Sequence, residues 1–309
     1  MKRGAFVVSA SLLAASVLGT GCSRHRQEAV LLANKGDQDV RLNVDGAINS
    51  YDQATRLDPT NHRIFFKLGM AYRKKEDWDK VASTMARATS LAPKYANYWA
   101  ERGYALEQQA RKKTVPWEEA KEPFQKCVEN DPNFAECYEE LGNVFLWTDD
   151  EQKALENYNK AVEHEPKNIG YYNALADLYI RLGYTKEAEQ ALKEAKGFIK
   201  PDDKTQAKAA YGLHVLLAQV YQDKDSLPEM VTELEAAKTV APLEGGESIE
   251  ILYNLGSTYA KLKPPRSAEA ISMLKGFSAR ACKGAKAARF KTECETSQTL
   301  VTSLGGTLQ

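Results

Sequence analysis

Histidine is scarce, four residues in 309, and no HExxH, HxH or CxxC spacing occurs anywhere in the chain. A metal centre is therefore not expected, because its ligands need such clustering. A GxSxG elbow, a phosphate-binding glycine loop and a dinucleotide fingerprint are also missing, so no catalytic residue and no cofactor is expected. Charge of one sign does not dominate: Lys plus Arg and Asp plus Glu number 42 each, which removes the basic field a nucleic-acid partner would need. The 11 prolines and 19 glycines form no run, so there is no long linker and no low-complexity segment. Long apolar stretches are lacking too. The most apolar one, Ala5 to Val17, is shorter than the roughly 20 residues that span a bilayer as a helix.

What is present begins with that stretch. Lys2 and Arg3 precede it, and Leu18-Gly19-Thr20-Gly21 leads into Cys22, the form of a secretory signal. Leu-Gly-Thr-Gly-Cys resembles the bacterial lipoprotein box, with Gly19 where the box usually carries Leu and Leu18 one position earlier. The resemblance implies removal of residues 1–21 and acylation of Cys22. Two or three acyl chains hold far more firmly than one, at about 0.8 kcal/mol per buried methylene. Ser23 stands where inner-membrane retention signals tend to carry Asp, which implies the outer membrane, with the chain facing the periplasm. Loss of Lys2 and Arg3 leaves 40 positive and 42 negative charges.

The rest of the chain is periodic. Phe65-x2-Leu68-Gly69-x2-Tyr72 is followed by a polar turn, Val81-x3-Met85-x2-Ala88 and Pro93. From Pro59 to Pro93, and again from Pro132 to Pro166, the step is 34 residues. Residues three and four apart share one helix face, so each half is an amphipathic helix, and Gly69 and Ala88 let the two approach closely. Related units include Tyr138-x2-Leu141-Gly142-x2-Phe145 with Ala154-x3-Tyr158-x2-Ala161, and Leu252-x2-Leu255-Gly256-x2-Tyr259 with Ala270-x3-Leu274-x2-Phe277. This pattern resembles the tetratricopeptide repeat. The resemblance implies an all-α, right-handed superhelical solenoid of about seven helix-turn-helix repeats, over residues 29–277. Residues 22–28 are then a lipidated tether and 278–309 a capping helix, from about Ala285 to Ser303, and tail. In the first repeat, Gly36, Asp37 and Asp39 are expected to interrupt the first helix. Pro201 and Pro242 close the fifth and sixth repeats, and five additional residues near Arg111 to Pro116 lengthen the third.

In this family the first helices line a concave groove that takes a protein or peptide. Matching positions here are Phe66, Met70, Arg73 and Lys74, then Asn97, Tyr104 and Glu107, then Glu139, Asn143 and Trp147, and finally Asn173, Asp177 and Arg181. The second repeat's stretch is basic and the fourth's, with Glu136, Glu139 and Glu140, acidic. Any single charge reads equally as a solvated helix face, whereas Phe66, Tyr104 and Trp147 are expected to be exposed anchors without a core duty. Phe66 and Met70 stand where chaperone-binding relatives carry the Lys and Asn of a dicarboxylate clamp. His214 takes a packed aromatic position and reads as a core histidine. Beyond Cys22 four cysteines remain, which allows three pairings. Stacking of the repeats implies Cys127 with Cys137 and Cys282 with Cys294; the alternative is four small buried hydrophobes.

The architecture is similar to pilotin lipoproteins that support type IV pilus secretins. The function so implied is a membrane-anchored periplasmic scaffold, not an enzyme, that assists assembly or positioning of an envelope complex. The alternatives are a substrate-delivering subunit of an envelope enzyme and a cytosolic-type co-chaperone.

Overall fold

The computed structural model describes the backbone of residues 10–200, 202–240 and 248–308, and side chains from Arg24 onward within these ranges. Pro201 and Pro242, expected to close two repeats, lie outside the described residues. Among the described residues there are sixteen α-helices and no strand, and the chain divides into two compact units, Met1–Asn157 and Tyr158–Gln309.

The first unit holds the hairpins α1 (Ala10–Asp39) with α2 (Val44–Leu57), α3 (His62–Lys74) with α4 (Trp78–Leu91), and α5 (Ala96–Arg111) with α6 (Glu118–Asn130). It continues with α7 (Ala135–Trp147) and the first half of α8 (Glu151–His164). The second unit takes the rest of α8, then α9 (Ile169–Arg181) with α10 (Thr185–Lys196) and α11 (Ala207–Asp223) with α12 (Leu227–Val240). It ends with α13 (Ile249–Lys261) paired to α14 (Ser267–Ala281), followed by α15 (Lys286–Arg289) and α16 (Lys291–Ser303). Among the described residues, six hairpins and a terminal cap lie within single units, and α7 and α8 supply the remaining two helices of the helix-turn-helix series. The cap is a short helix, a break at Phe290 and a second helix, instead of one helix from Ala285.

The same local chemistry ends the first helix of five repeats. A residue with positive φ follows α3, α5, α7, α9 and α11: Glu76 (54°), Lys113 (59°), Asp149 (58°), Gly183 (79°) and Asp225 (54°). In each case the next N–H reaches back five residues, as from Asp77 to the Tyr72 carbonyl (3.2 Å), Asp150 to Phe145 (2.8 Å) and Ser226 to Tyr221 (2.8 Å). This is the Schellman closure, which satisfies helix-end carbonyls and turns the chain back. Second helices start on polar caps: Asp77 accepts from Lys80 N–H at 3.3 Å, and Asp150 from Lys153 N–H at 3.2 Å.

Packing then follows the 3.6 period. In α3, Ile64, Leu68 and Ala71 are buried, and in α4 Val81, Met85 and Ala88. Burial of each larger side chain contributes about 1.5–3 kcal/mol. A Cβ on Gly69 would lie 2.5 Å from Met85 Cε, and one on Gly103 2.7 Å from the Phe124 ring, so these glycines set how closely paired helices approach. Trp99 Nε1–H donates to the Pro93 carbonyl at 2.7 Å, and Tyr172 OH to that of Pro166 at 3.3 Å. These bonds tie the proline that ends one repeat to the aromatic that opens the next.

The first helix departs from the sequence expectation: α1 runs unbroken through Gly36 and Asp37 to Asp39. Gly36 is buried against the Tyr51 ring, where a Cβ would come within 2.5 Å, and Asp37 accepts from Tyr51 OH (2.8 Å) and Lys67 Nζ (2.5 Å). Tertiary contacts override two weak helix formers.

Candidate functional site

Phe66, Met70, Arg73 and Lys74 point from one face of α3 into a single cleft of about 590 Å³, completed by Val40, Tyr51 and Lys67. Phe66, Met70 and Val40 make the walls apolar, and Lys67, Arg73 and Lys74 stand as cations around them. Lys67 is paired with Asp37, and Arg73 with Glu101 of α5 while lying 4.6 Å over the Tyr104 ring; Lys74 is exposed. Burial pushes the Tyr51 hydroxyl well above its usual range, reinforced by the hydrogen bond to Asp37. Tyr51 is therefore a neutral wall.

Arg73 also borders a second, smaller cavity of about 50 Å³, shared by Asn97, Glu101, Tyr104, Phe134, Glu136 and Glu140. This notch is acidic. Burial holds the Glu101 carboxyl above its ordinary range against the pull of Arg73, and its Oε2 is a buried acceptor without a hydrogen-bond donor. Burial pushes Glu140 up to about 8, helped by the neighbouring Glu107. Asn143 Nδ2 donates to Glu140 Oε2 at 2.9 Å.

The three expected aromatic anchors differ in exposure. Trp147 is 58% exposed and stacks on Trp117 with ring centres 4.9 Å apart and planes within 5°. Phe66 is half-buried against Tyr98 at 4.7 Å, and Tyr104 is half-buried edge-on to Trp78 at 5.5 Å. Both therefore carry packing as well as surface. Glu107 is a clearer departure: its side chain is 2% exposed and accepts from Arg111, so it faces the interior instead of a partner. Asn97 is exposed, and Glu139 is half-buried.

In the second unit, Asn173 Nδ2 donates to the Ala209 carbonyl at 2.8 Å, joining α9 to α11, and Asp177 pairs with Arg181 along α9 at 3.0 Å. A cleft of about 580 Å³ lies nearby, lined by Pro166, Asn168, Ile169, Thr205, Gln206 and Ala209 among others. His214 is buried with Nδ1 2.7 Å from Glu233 Oε2. Burial alone would raise the Glu233 carboxyl, but hydrogen bonds from His214 and Lys196 hold it below its ordinary range. Among the described residues no cluster of His, Cys, Asp and Glu is arranged to hold a metal ion.

Cys127 and Cys137 are joined with Cα atoms 6.3 Å apart, and Cys282 and Cys294 with Cα atoms 5.7 Å apart. Residues 1–9 lie outside the described residues, and the side chain of Cys22 is not among those described. Among the described residues no helix is long and apolar enough to cross a membrane.

Sequence reasoning missed Val40, Tyr51 and Lys67, because Val40 follows the end of α1, Tyr51 comes from α2, and Lys67 is one position away from the expected groove residue Phe66 on α3. It also missed Trp117, whose place at the end of the lengthened third-repeat loop was the available signal. A tier of His62, Tyr95 and Tyr98 escaped as well: Tyr95 is 42% exposed and stacks on Tyr98 at 4.9 Å, and His62 Nδ1 is 2.9 Å from Tyr98 Oη.

Two family profiles match the chain: one described as the TPR repeat, over residues 43–75, and one as the fourth ARM domain of tetratricopeptide repeat protein 21, over residues 138–242. The chain is 24% identical over 160 residues to Hsp70-Hsp90 organizing protein 3 of Arabidopsis thaliana. That match covers 51% of this chain and 26% of the relative, so the chain spans about a quarter of that protein's length. Among solved structures, a tetratricopeptide repeat protein from Parabacteroides merdae superposes with a TM-score of 0.59 at 16% identity, covering 88% of this chain and 99% of the other. PilF of Pseudomonas aeruginosa superposes with a TM-score of 0.56 at 16% identity, covering 78% and 100%. At these identities the likeness is one of fold.

Proposed function

This chain is a tetratricopeptide-repeat protein, and from that premise we propose that it is a non-catalytic protein-interaction scaffold, lipid-anchored through Cys22 to the outer membrane and facing the periplasm. Its partner is a protein segment that seats an apolar side chain between Phe66 and Met70 and places carboxylates near Lys74. The observation that supports this reading is the cleft on α3, apolar in its walls and cationic around them. Apolar or aromatic anchors in such pockets dominate binding energies, while charges around the edge set orientation and encounter rate. The scaffold's proposed role is to assist assembly or positioning of an envelope complex, with a pilus or secretin assembly as the first candidate, a role compatible with the fold it shares with PilF.

Two measurements test the two parts separately. Metabolic labelling with a fatty acid marks the wild type and not Cys22→Ala; equal labelling of both removes the anchor. Capture from envelope extracts by the wild type, set against the Phe66→Ala/Met70→Ala variant with its melting curve, tests the cleft. Retained capture by a folded double variant rejects it.

A further inference from the structure

The two disulfides differ in what surrounds them. Cys127 and Cys137 are both 0% exposed, inside the first unit. Cys282 and Cys294 are each partly exposed and line an open cavity of about 720 Å³ together with Lys275, Ser278, Lys283, Glu295 and Gln298. Between residues 275 and 295 the sequence carries six cations, Lys275, Arg280, Lys283, Lys286, Arg289 and Lys291, against Glu293 and Glu295. A thiol that reaches this bond attacks as its thiolate, and Lys275 and Lys283, which line the cavity beside Glu295, draw that anion in.

What the bond holds is weakly held otherwise. Of the thirteen residues of α16, only Ser297 and Val301 are buried, and the Ser297 hydroxyl is buried without a hydrogen-bond partner. The bond ties the end of α14 to the first turns of α16, over a small cluster of Leu252, Phe277, Ala281 and Phe290.

We propose that Cys282–Cys294 is a thiol–disulfide exchange site for a dithiol partner, and that its reduction releases α16 from this cluster. Cys282 caps the C-terminal end of α14, where the helix dipole disfavours negative charge, whereas Cys294 lies near the N-terminal end of α16, where it favours it. The attacking thiolate therefore bonds to Cys282 Sγ, the Cys282–Cys294 bond breaks, and its electron pair leaves with Cys294 Sγ. The partner's second thiol, once deprotonated, attacks the mixed disulfide and expels Cys282 as a thiolate. The chain gains two electrons, both cysteines take protons from solvent, and the dithiol becomes a disulfide.

The test uses the folded, signal-free chain with dithiothreitol as the dithiol, timed quenching with a maleimide and peptide mapping. Cys282 and Cys294 are expected to be labelled at least about tenfold faster than Cys127 and Cys137, whose release waits for local or global opening. Hydrogen exchange over residues 291–303 is expected to rise on the same timescale, and the Cys282→Ser/Cys294→Ser variant to lose the fast labelling phase. Equal rates for the two pairs, faster release of Cys127–Cys137, or no labelling before denaturation would each overturn the proposal. So would fast labelling with unaltered exchange in α16.

Discussion

Glu140 of α7 lies beside Glu107 of α5, so that burial and a second carboxyl group together oppose ionisation of Glu140. Asn143 donates a hydrogen bond to Glu140, and Arg111 donates to Glu107. Burial, with Glu107 beside it, moves Glu140 from its ordinary value of 4.5 to about 8. The folded chain therefore keeps a proton that the unfolded chain releases. The stability linked to that proton is fully present below about pH 4.5 and lost as pH rises through about 8.

Glu140→Gln keeps a hydrogen-bonding group at this position and removes the titration. Urea midpoints measured from about pH 5 to about pH 8.5 should fall less steeply for this variant than for the wild type. Parallel pH profiles would show that the pair does not govern this window.

The hairpin turns offer a second prediction. Glu76 and Lys113 hold positive φ, which costs a residue with a Cβ roughly 1 kcal/mol and glycine nothing. Glu76→Gly and Lys113→Gly should each raise stability by up to about 0.5 kcal/mol, because the folded-state strain removed exceeds the added unfolded-state freedom. Denaturation midpoints below that of the wild type would contradict this.

Two helical glycines should respond to the same substitution with opposite sign. A Cβ on Gly103 meets the Phe124 ring at 2.7 Å, and Phe124 is 1% exposed and unable to retreat. Gly103→Ala should destabilise by about 1–3 kcal/mol through overpacking. On Gly276 the nearest atom is Leu252 Cδ1 at 3.6 Å, ordinary contact, so Gly276→Ala should gain up to about 1 kcal/mol of helix propensity. Calorimetric melting of both variants checks the pair together.

Much of this was legible in the sequence. The 34-residue step and the Leu68-Gly69, Leu141-Gly142 and Leu255-Gly256 pairs carry the hairpins, because periodicity and small residues are local signals. The continuity of α1 was not legible, since Gly36 stays helical only by lying against Tyr51, fifteen residues away. The groove face was legible as a face but not in depth. Helical spacing places Phe66, Tyr104 and Glu107 toward the groove, yet Tyr98, Trp78 and Glu140 on neighbouring helices decide how far each is covered. Exposure of that kind depends on contacts about 30 residues apart, which no local pattern encodes.

The central claim, that the α3 cleft is where a partner seats, is tested most directly by site-specific photocrosslinking in cells. A photoreactive residue at position 70 lies inside the cleft, and one at position 90, where Ser90 is exposed on α4, serves as the control. A discrete crosslinked protein is expected from position 70, absent from position 90 and lost when Phe66 is also replaced by Ala. Crosslinks of equal yield at both positions, or at position 90 alone, would contradict it.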